Sequence, residues 1–347
     1  MRYRILGRTG LRVSQLALGT GNFGTGWGHG ADEATSAAIY RAYREAGGNL
    51  VDTANSYQGG QSEQIVGRLI REDRDDVVLA TKFSLPHSRT AGLQDSGNSR
   101  RALFQSVERS LRALATDRLD ILWVHYPDGV TPIEELVRGL DDLVRSGKVL
   151  YVGFSNFPAW RVSAAAMLAE LRGWAPVAAV QFEYSLVERT SERELLPAAR
   201  AFGWGAFGWS PLGGGLLTGK YRAGEEGRLQ KLGAVIQRED DARKTAILDS
   251  LLDMARDLSA PAAQVALSWV LGRDPLIPII GPRTSQQLAD HLGALDVSLS
   301  HEQRARLDEA SAIPLGFPHD MNAGEGVRGS LTSGRLASID FPAGAVR

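Results

Sequence analysis

Apolar strand-like runs alternate with amphipathic helical runs eight times along this chain, and that alternation limits its possible folds more than any other feature. The strand candidates are QLALGT, NLVDTAN, VVLATKF, LDILWVHY, VLYVGFSN, VAAVQFEY, WGAFGWSP and LIPIIG. The helical runs between and after them are ATSAAIYRAYREAG, SEQIVGRLIRE, RRALFQSVERSLRALA, PIEELVRGLDDLVRSG, WRVSAAAMLAELRG, ERELLPAARAFG, one long run from Asp241 to Gly272, and TSQQLADHLGAL. Their apolar positions recur with a period near 3.6 residues. Strands that are apolar almost throughout, separated by helices, favour a parallel sheet covered by helices. Eight such units in about 280 residues match a closed (β/α)8 TIM barrel. A doubly wound open sheet is the alternative. The opening YRILGRTGLRVS reads as an N-terminal β-hairpin turning at Arg8–Gly10. The expected organisation is a single domain over residues 1–347, with a C-terminal tail over about 314–347.

In a barrel, the long connections belong at the C-terminal rim of the strands. Pro86 to Ser99 follows the third strand, with Gly92 and Gly97 in it. Tyr221 to about Asp240 follows the seventh, with Gly224, Gly227 and Gly233. Loops this long in a folded domain are usually functional or disordered. The first two are expected to flank the active mouth, and the tail to fold over it. Composition excludes several functions. The formal net charge is −1 with no dense basic block, which argues against nucleic acid as a partner. The start is too polar for a signal peptide and no apolar run could span a bilayer, so the expected location is cytoplasmic and away from membranes. Cys is absent, which removes thiolate chemistry and Cys-ligated metals. Only five Lys occur, at 82, 148, 220, 231 and 244, so each is a candidate for a particular role.

Two glycine motifs invite misreading. Gly19-Thr-Gly-Asn-Phe-Gly24 matches the G-x-G-x-x-G dinucleotide fingerprint and follows a strand. That fingerprint must open directly into a helix, and here the chain continues through TGWGHGAD instead. Gly214 to Gly219-Lys220 resembles a phosphate-binding loop, but Tyr221 stands where a Mg²⁺-binding Ser or Thr is needed. Nucleotide hydrolysis is therefore not expected. A Gly-rich turn beside a Lys still presents backbone N–H groups to an anion.

Four residues carry the chemistry. Asp52 and Tyr57 lie in NLVDTANSY, Lys82 in DVVLATK and His125 in DILWVHY, at the ends of three successive strands. Parallel strands deliver all four to one rim, where catalysis in such barrels is usually found. A free phenol has a pKa near 10 and is a poor acid unless a cation lowers it. Lys82 is placed to do so, Asp52 to hold Lys82, and His125 to hydrogen-bond a substrate oxygen. Taken singly, each residue is more simply a rim or ion-pair residue; their coincidence at one mouth makes the site.

With these residues, the segments DTANSYQGGQSE, VVLATK, ILWVHYPD, GFSN, VQFEYSL, WSPLGGGLLTGKY and IIGPRTSQQLADHL stand in the order and spacing of the aldo-keto reductases. The resemblance covers roughly residues 2 to 312 and looks nearest to the bacterial and channel β-subunit-like branch. It implies a (β/α)8 barrel that binds NADP(H) without a Rossmann domain, with Asp52, Tyr57, Lys82 and His125 as the catalytic tetrad and Tyr57 as general acid. Ser155, Asn156 and Gln181 match the positions that hold the nicotinamide carboxamide, and Trp209 the aromatic residue that stacks on the ring. Ser210, Leu212, Gly214 and Lys220 match the pyrophosphate loop. Arg283 and Gln287 match the 2′-phosphate region, and Asp290 the adenosine contact. Thr20, Asp52 and Gly281 complete the implied cofactor set. Arg283 also precedes an expected helix start at Thr284, where dipole and guanidinium both favour an anion.

Two departures stand out. His291 occupies a position where the family usually has Asn, and Gln58 follows the Tyr where Gly is common. The resulting expectation is NADPH-dependent reduction of an aldehyde or ketone, its reverse being chemically equivalent. The rival is a nicotinamide-binding redox sensor or partner-binding subunit with little turnover. A metal-dependent barrel hydrolase or isomerase would have to rely on His125, Asp52 and Asp128, a thin ligand set. Trp27, His29, Trp123 and Trp160 are expected lining for a small-molecule carbonyl or alcohol substrate.

Overall fold

All eight apolar runs form strands. The computed structural model describes residues 1–88, 90–222 and 237–340. Most of the loop expected over 221–240, with Lys231 and its three glycines, therefore lies outside the described residues. Tyr3–Ile5 (β1) and Arg12–Ser14 (β2) pair antiparallel as a hairpin. The barrel strands are Ala17–Gly19 (β3), Leu50–Asp52 (β4), Val78–Phe83 (β5), Leu119–Val124 (β6), Val149–Ser155 (β7), Val177–Glu183 (β8), Gly205–Trp209 (β9) and Leu276–Ile280 (β10). Each pairs in parallel with the next, and β10 closes the ring on β3 through Ile279↔Ala17 and Ile280↔Leu18. The result is a (β/α)8 TIM barrel.

The hairpin plugs the N-terminal end. Leu6 and Val13 are fully buried and join Ala17, Ala80, Trp123 and Phe207 in a core separate from the outer strand–helix layer. Glycines make this approach possible. A Cβ at Gly205 would lie 2.4 Å from Leu6 Cδ1, and one at Gly7 (φ +50°) would lie 2.6 Å from backbone atoms of Gly203 and Gly205. Gly153 acts likewise for Trp123: a Cβ there would lie 2.4 Å from the indole. Trp123 is therefore a filled-core residue packed edge-on against Phe207 at 5.0 Å, not part of the mouth as expected from its place at a strand end.

Several helices begin where side chains accept the orphaned first-turn N–H groups. Ser99 does so for Arg100–Ala113, and Thr284 for Ser285–Gly293. One expectation needs correction. The single helical run from Asp241 to Gly272 is two helices, Ala242–Asp257 and Ala262–Leu271. Ser259 takes φ +51° and Pro261 has no N–H to continue the ladder, so the chain turns between them. The segment after the barrel carries an additional helix, His301–Ala310, opened by a reciprocal capping box between Ser300 and Gln303.

The tail forms short helices at His319–Ala323 and Glu325–Leu331. Arg193 donates to the Pro314 carbonyl and His319 lies 2.9 Å from Glu194, which fastens the tail beside the start of helix Leu195–Phe202.

Truncating the plug leaves a cavity that the closed barrel end cannot collapse. Leu6→Ala should cost about 2–5 kcal/mol of stability, measured as a lowered urea midpoint with an unchanged denaturant slope.

Candidate active site

The centre of the mouth is a buried ion pair. Lys82 on β5 and Asp52 at the end of β4 are each 1% exposed. Lys82 Nζ donates to Asp52 Oδ1 at 2.6 Å, to Oδ2, and to the Thr53 carbonyl at 2.9 Å. Gln181 Nε2, from β8 across the barrel, donates to Asp52 Oδ1 at 3.1 Å. Burial works against the Lys82 ammonium, but the Asp52 carboxylate and the Tyr57 phenol outweigh it and raise its pKa above the usual lysine value.

Tyr57 lies against this ammonium, with Lys82 Nζ 4.8 Å from the ring centroid. Burial raises the phenol pKa and the Lys82 charge opposes it; in the protein alone burial prevails. The cation thus limits the rise but does not bring the phenol below its ordinary value, contrary to the expectation from sequence. The His125 ring meets Tyr57 edge-on at 6.1 Å. It is 6% exposed, and its pKa is driven well below the usual histidine value by burial first and the Lys82 charge second. The imidazole is therefore neutral. Its buried Nδ1 has no hydrogen-bond partner among the described residues.

The strand ladder continues past the strand ends and fixes this rim. Thr20 N donates to Asp52 O, Asn55 N to Lys82 O, His125 N to Phe83 O and Asn156 N to Gln181 O. Four non-glycine residues with left-handed backbone follow barrel strands here: Gln58, Ser84, Asn156 and Ser210, with φ of 53°, 111°, 59° and 50°. Such conformations persist only where surrounding contacts over-determine them.

From Tyr57 and Lys82 a groove of about 660 Å³ runs outward to Arg283 and His291. Of the expected cofactor residues, Asp52, Gln181, Trp209, Ser210, Leu212, Gly214, Lys220, Gly281, Arg283, Gln287 and Asp290 all line it. Thr20, Ser155 and Asn156 are not among its lining residues: Thr20 and Ser155 are buried, and Asn156 is half-buried against Trp209, which does line it. Thr20 is fully buried and receives a hydrogen bond from Ser62. Asn156 donates to His125 O at 3.1 Å and to Ser155 Oγ at 3.0 Å, and accepts from Trp209 Nε1 at 3.0 Å. It ties the ends of β6, β7 and β9 together.

Asn22, Thr218, Leu252 and the helix start at Pro261–Ala263 also line the groove, and none of them was expected from sequence. Asn22 and Thr218 lie within the two glycine motifs, whereas no local motif marks Leu252 or Pro261–Ala263, which packing brings in from separate segments. The expected aromatic lining divides: Trp27 meets Tyr57 edge-on at 6.1 Å and His29 lies 6.0 Å from Trp27, whereas Trp160 is 71% exposed on an outer helix.

This geometry accords with what the chain is similar to. Residues 15–312 match the Aldo/keto reductase family. The chain belongs to that family. One relative is an aldo-keto reductase (ausK) of Aspergillus calidoustus, 38% identical over 92% of this chain and 84% of the relative. The norsolorinic acid reductase of Aspergillus flavus is 36% identical over 91% and 82%. An oxidoreductase of Bacillus subtilis, YrpG, is 39% identical over 91% and 98%. The family as a whole uses nicotinamide cofactors, and no helix among the described residues is long and apolar enough to cross a membrane.

Asp128, the third member of the thin metal set, is used otherwise. Its Oδ1 accepts from the amides of Val130 and Thr131, and its Oδ2 from the Asn98 amide at 2.8 Å and from Thr131 Oγ1 at 2.5 Å. No cluster of three metal-ligating side chains occurs among the described residues. Asp128 instead pins the loop after β6 to the loop after β5. Burial raises its pKa, but the hydrogen bonds from Thr131, Asn98 and Val130 outweigh that and hold it at about 2. A depressed carboxylate stabilises the fold above its unfolded pKa near 3.8 and loses that contribution as the pH falls toward 2. The stability advantage of the wild type over Asp128→Asn, read from urea midpoints, should shrink between pH 5 and pH 3.

Proposed function

We propose that this protein is an NADPH-dependent oxidoreductase that reduces an aldehyde or ketone to the alcohol, with Tyr57 as the general acid. The observation that carries the reading is the neutral phenol held against a buried ammonium at the inner end of a groove whose outer end is cationic. The donor set suits a dinucleotide. Gly214, Gly215 and Gly219 have positive φ and present a bare backbone beside Lys220, a cradle suited to a pyrophosphate. Arg283 immediately precedes the helix capped by Thr284, and its guanidinium forms no ion pair among the described residues. It is a fitting partner for a 2′-phosphate. Trp209 lies beside Gln181 on the groove wall, where its indole can cover a nicotinamide ring.

When bound, the cofactor supplies a hydride to the carbonyl carbon. The protein does the rest. Tyr57 gives its proton to the carbonyl oxygen as negative charge develops there. A phenol is already protonated at neutral pH and burial shifts it further that way, so the proton is available when needed. The phenolate left behind faces the Lys82 ammonium, which Asp52 and Thr53 hold in place. This preorganised charge stabilises the transition state. Neutral His125 donates its one ring N–H to the substrate oxygen and does not compete with Lys82 for the charge.

Removing the proton donor tests the chemistry. Tyr57→Phe should lower kcat by about 10²–10⁴-fold while NADPH binding, followed by quenching of protein fluorescence, changes little. Full turnover in that variant would end the assignment. Removing the outer cation tests the cofactor. Arg283→Ala should raise the NADPH Kd by roughly 10–100-fold and leave the NADH Kd unchanged; equal weakening of both would reject the 2′-phosphate contact.

A further inference from the structure

The residue that follows Tyr57 has a backbone suited to glycine and a side chain that glycine cannot supply. Gln58 sits at φ +53°, yet it is only 1% exposed. Its amide is used at both ends. Nε2 donates to the Gly21 carbonyl at 2.9 Å, and Oε1 accepts from the Trp27 backbone N–H at 2.9 Å. Gln61, one turn on, accepts from the amides of Thr25 and Gly26 at 2.9 and 3.0 Å. Two neutral side chains thus hold the segment from Gly21 to Gly30 against the start of the helix that follows the catalytic tyrosine.

The glycines of that segment match the contact. A Cβ at Gly26 would lie 2.2 Å from the Gln58 carbonyl oxygen, and one at Gly24 would lie 3.0 Å from Gln58 Cβ. At Gly30 a Cβ would come within 2.0 Å of the Gly24 carbonyl oxygen. The run TGWGHGAD, which does not open a helix as a dinucleotide fingerprint must, is therefore a loop shaped to close over Gln58, with Gln61 holding its first turn. Its side chain at the mouth is Trp27, which is 45% exposed and in edge contact with Tyr57. On the other side Tyr126, 41% exposed, stacks on His125 at 4.5 Å.

We infer that Gln58 is a positioning residue that fixes Trp27 beside the proton donor, and so selects flat, ring-bearing carbonyl substrates over small aliphatic ones. The inference rests on the carbonyl-reductase reading for its substrate arm, but the clamp itself is independent of turnover. A positive φ costs a non-glycine residue stability, so Gln58→Gly relieves strain while it deletes both hydrogen bonds. Gln58→Ala keeps the strain and deletes the same bonds.

Both variants of the full chain should show about tenfold faster amide hydrogen exchange across Gly21–Trp27, with the barrel strands unchanged. Both should raise KM for a naphthaldehyde or an aryl ketone by roughly tenfold, the loss of about 1.4 kcal/mol of binding. KM and kcat for propanal, and the NADPH Kd, should stay near the wild-type values. Trp27→Ala should reproduce the loss of ring selectivity without the change in exchange at the residue 27 amide, which still donates to Gln58.

Wild-type exchange in both glutamine variants overturns the clamp, whatever the enzyme does. Faster exchange with an unchanged ratio of aryl to aliphatic KM overturns the role in selection. A wild-type protein that turns over neither substrate refutes the carbonyl-reductase reading and the role in selection with it; the exchange rates then still decide whether the clamp exists.

Discussion

Two opposite charges from adjacent strands, each 1% exposed, form the interaction on which the rest of the site depends. Burying such a pair is expensive, and well-packed apolar residues often give equal or better stability. The geometry shows how the cost is limited: every proton on Lys82 Nζ has an acceptor in Asp52 or Thr53, and Gln181 adds a donor to the carboxylate. What the pair supplies in return is a fixed positive charge 4.8 Å from the centre of a phenol. That charge sets the behaviour of its neighbours. It opposes the burial that raises Tyr57 and adds to the burial that keeps His125 neutral.

A charge placed this way is useful only if the groups around it cannot drift. The barrel provides that rigidity by carrying backbone hydrogen bonds beyond the last strand residues, through Thr20, Asn55, His125 and Asn156. Strain is concentrated in the same ring. Gln58, Ser84, Asn156 and Ser210 all adopt left-handed backbone just after barrel strands. At Gln58 and Asn156 the side-chain amide makes hydrogen bonds to segments remote in sequence, which accounts for a side chain where glycine would be easier. The closed end of the barrel works oppositely, with apolar Leu6 and Val13 filling space that the mouth leaves open.

Much of this was legible in the chain. The eight apolar runs became the eight strands because near-continuous burial in a parallel sheet leaves little room for other residue types. The four catalytic candidates were identifiable because a strand end has a defined position in such a barrel. Two features differ from or add to what was expected, although the chain carried a signal for each. Pro261 announced the break in the run from Asp241 to Gly272, and the Ser300–Gln303 pair announced helix His301–Ala310. Trp123 had no such signal. An indole at a strand end is compatible with mouth or core, and it is core only because Gly153, on the neighbouring strand, leaves a space for it.

By itself, the sequence determined the barrel and the rim on which the four candidate residues stand, since those follow from periodicity and from the position of each residue along its strand; the groove segments were legible only through resemblance to the family. Tertiary structure alone decided how burial and the Lys82 charge shift the phenol and the imidazole, the hydrogen bonds by which Asn156 ties three strand ends together, and the closure of the Gly21–Gly30 loop around Gln58. Those depend on desolvation and on contacts between residues tens of positions apart, and such quantities exist only once the chain has folded.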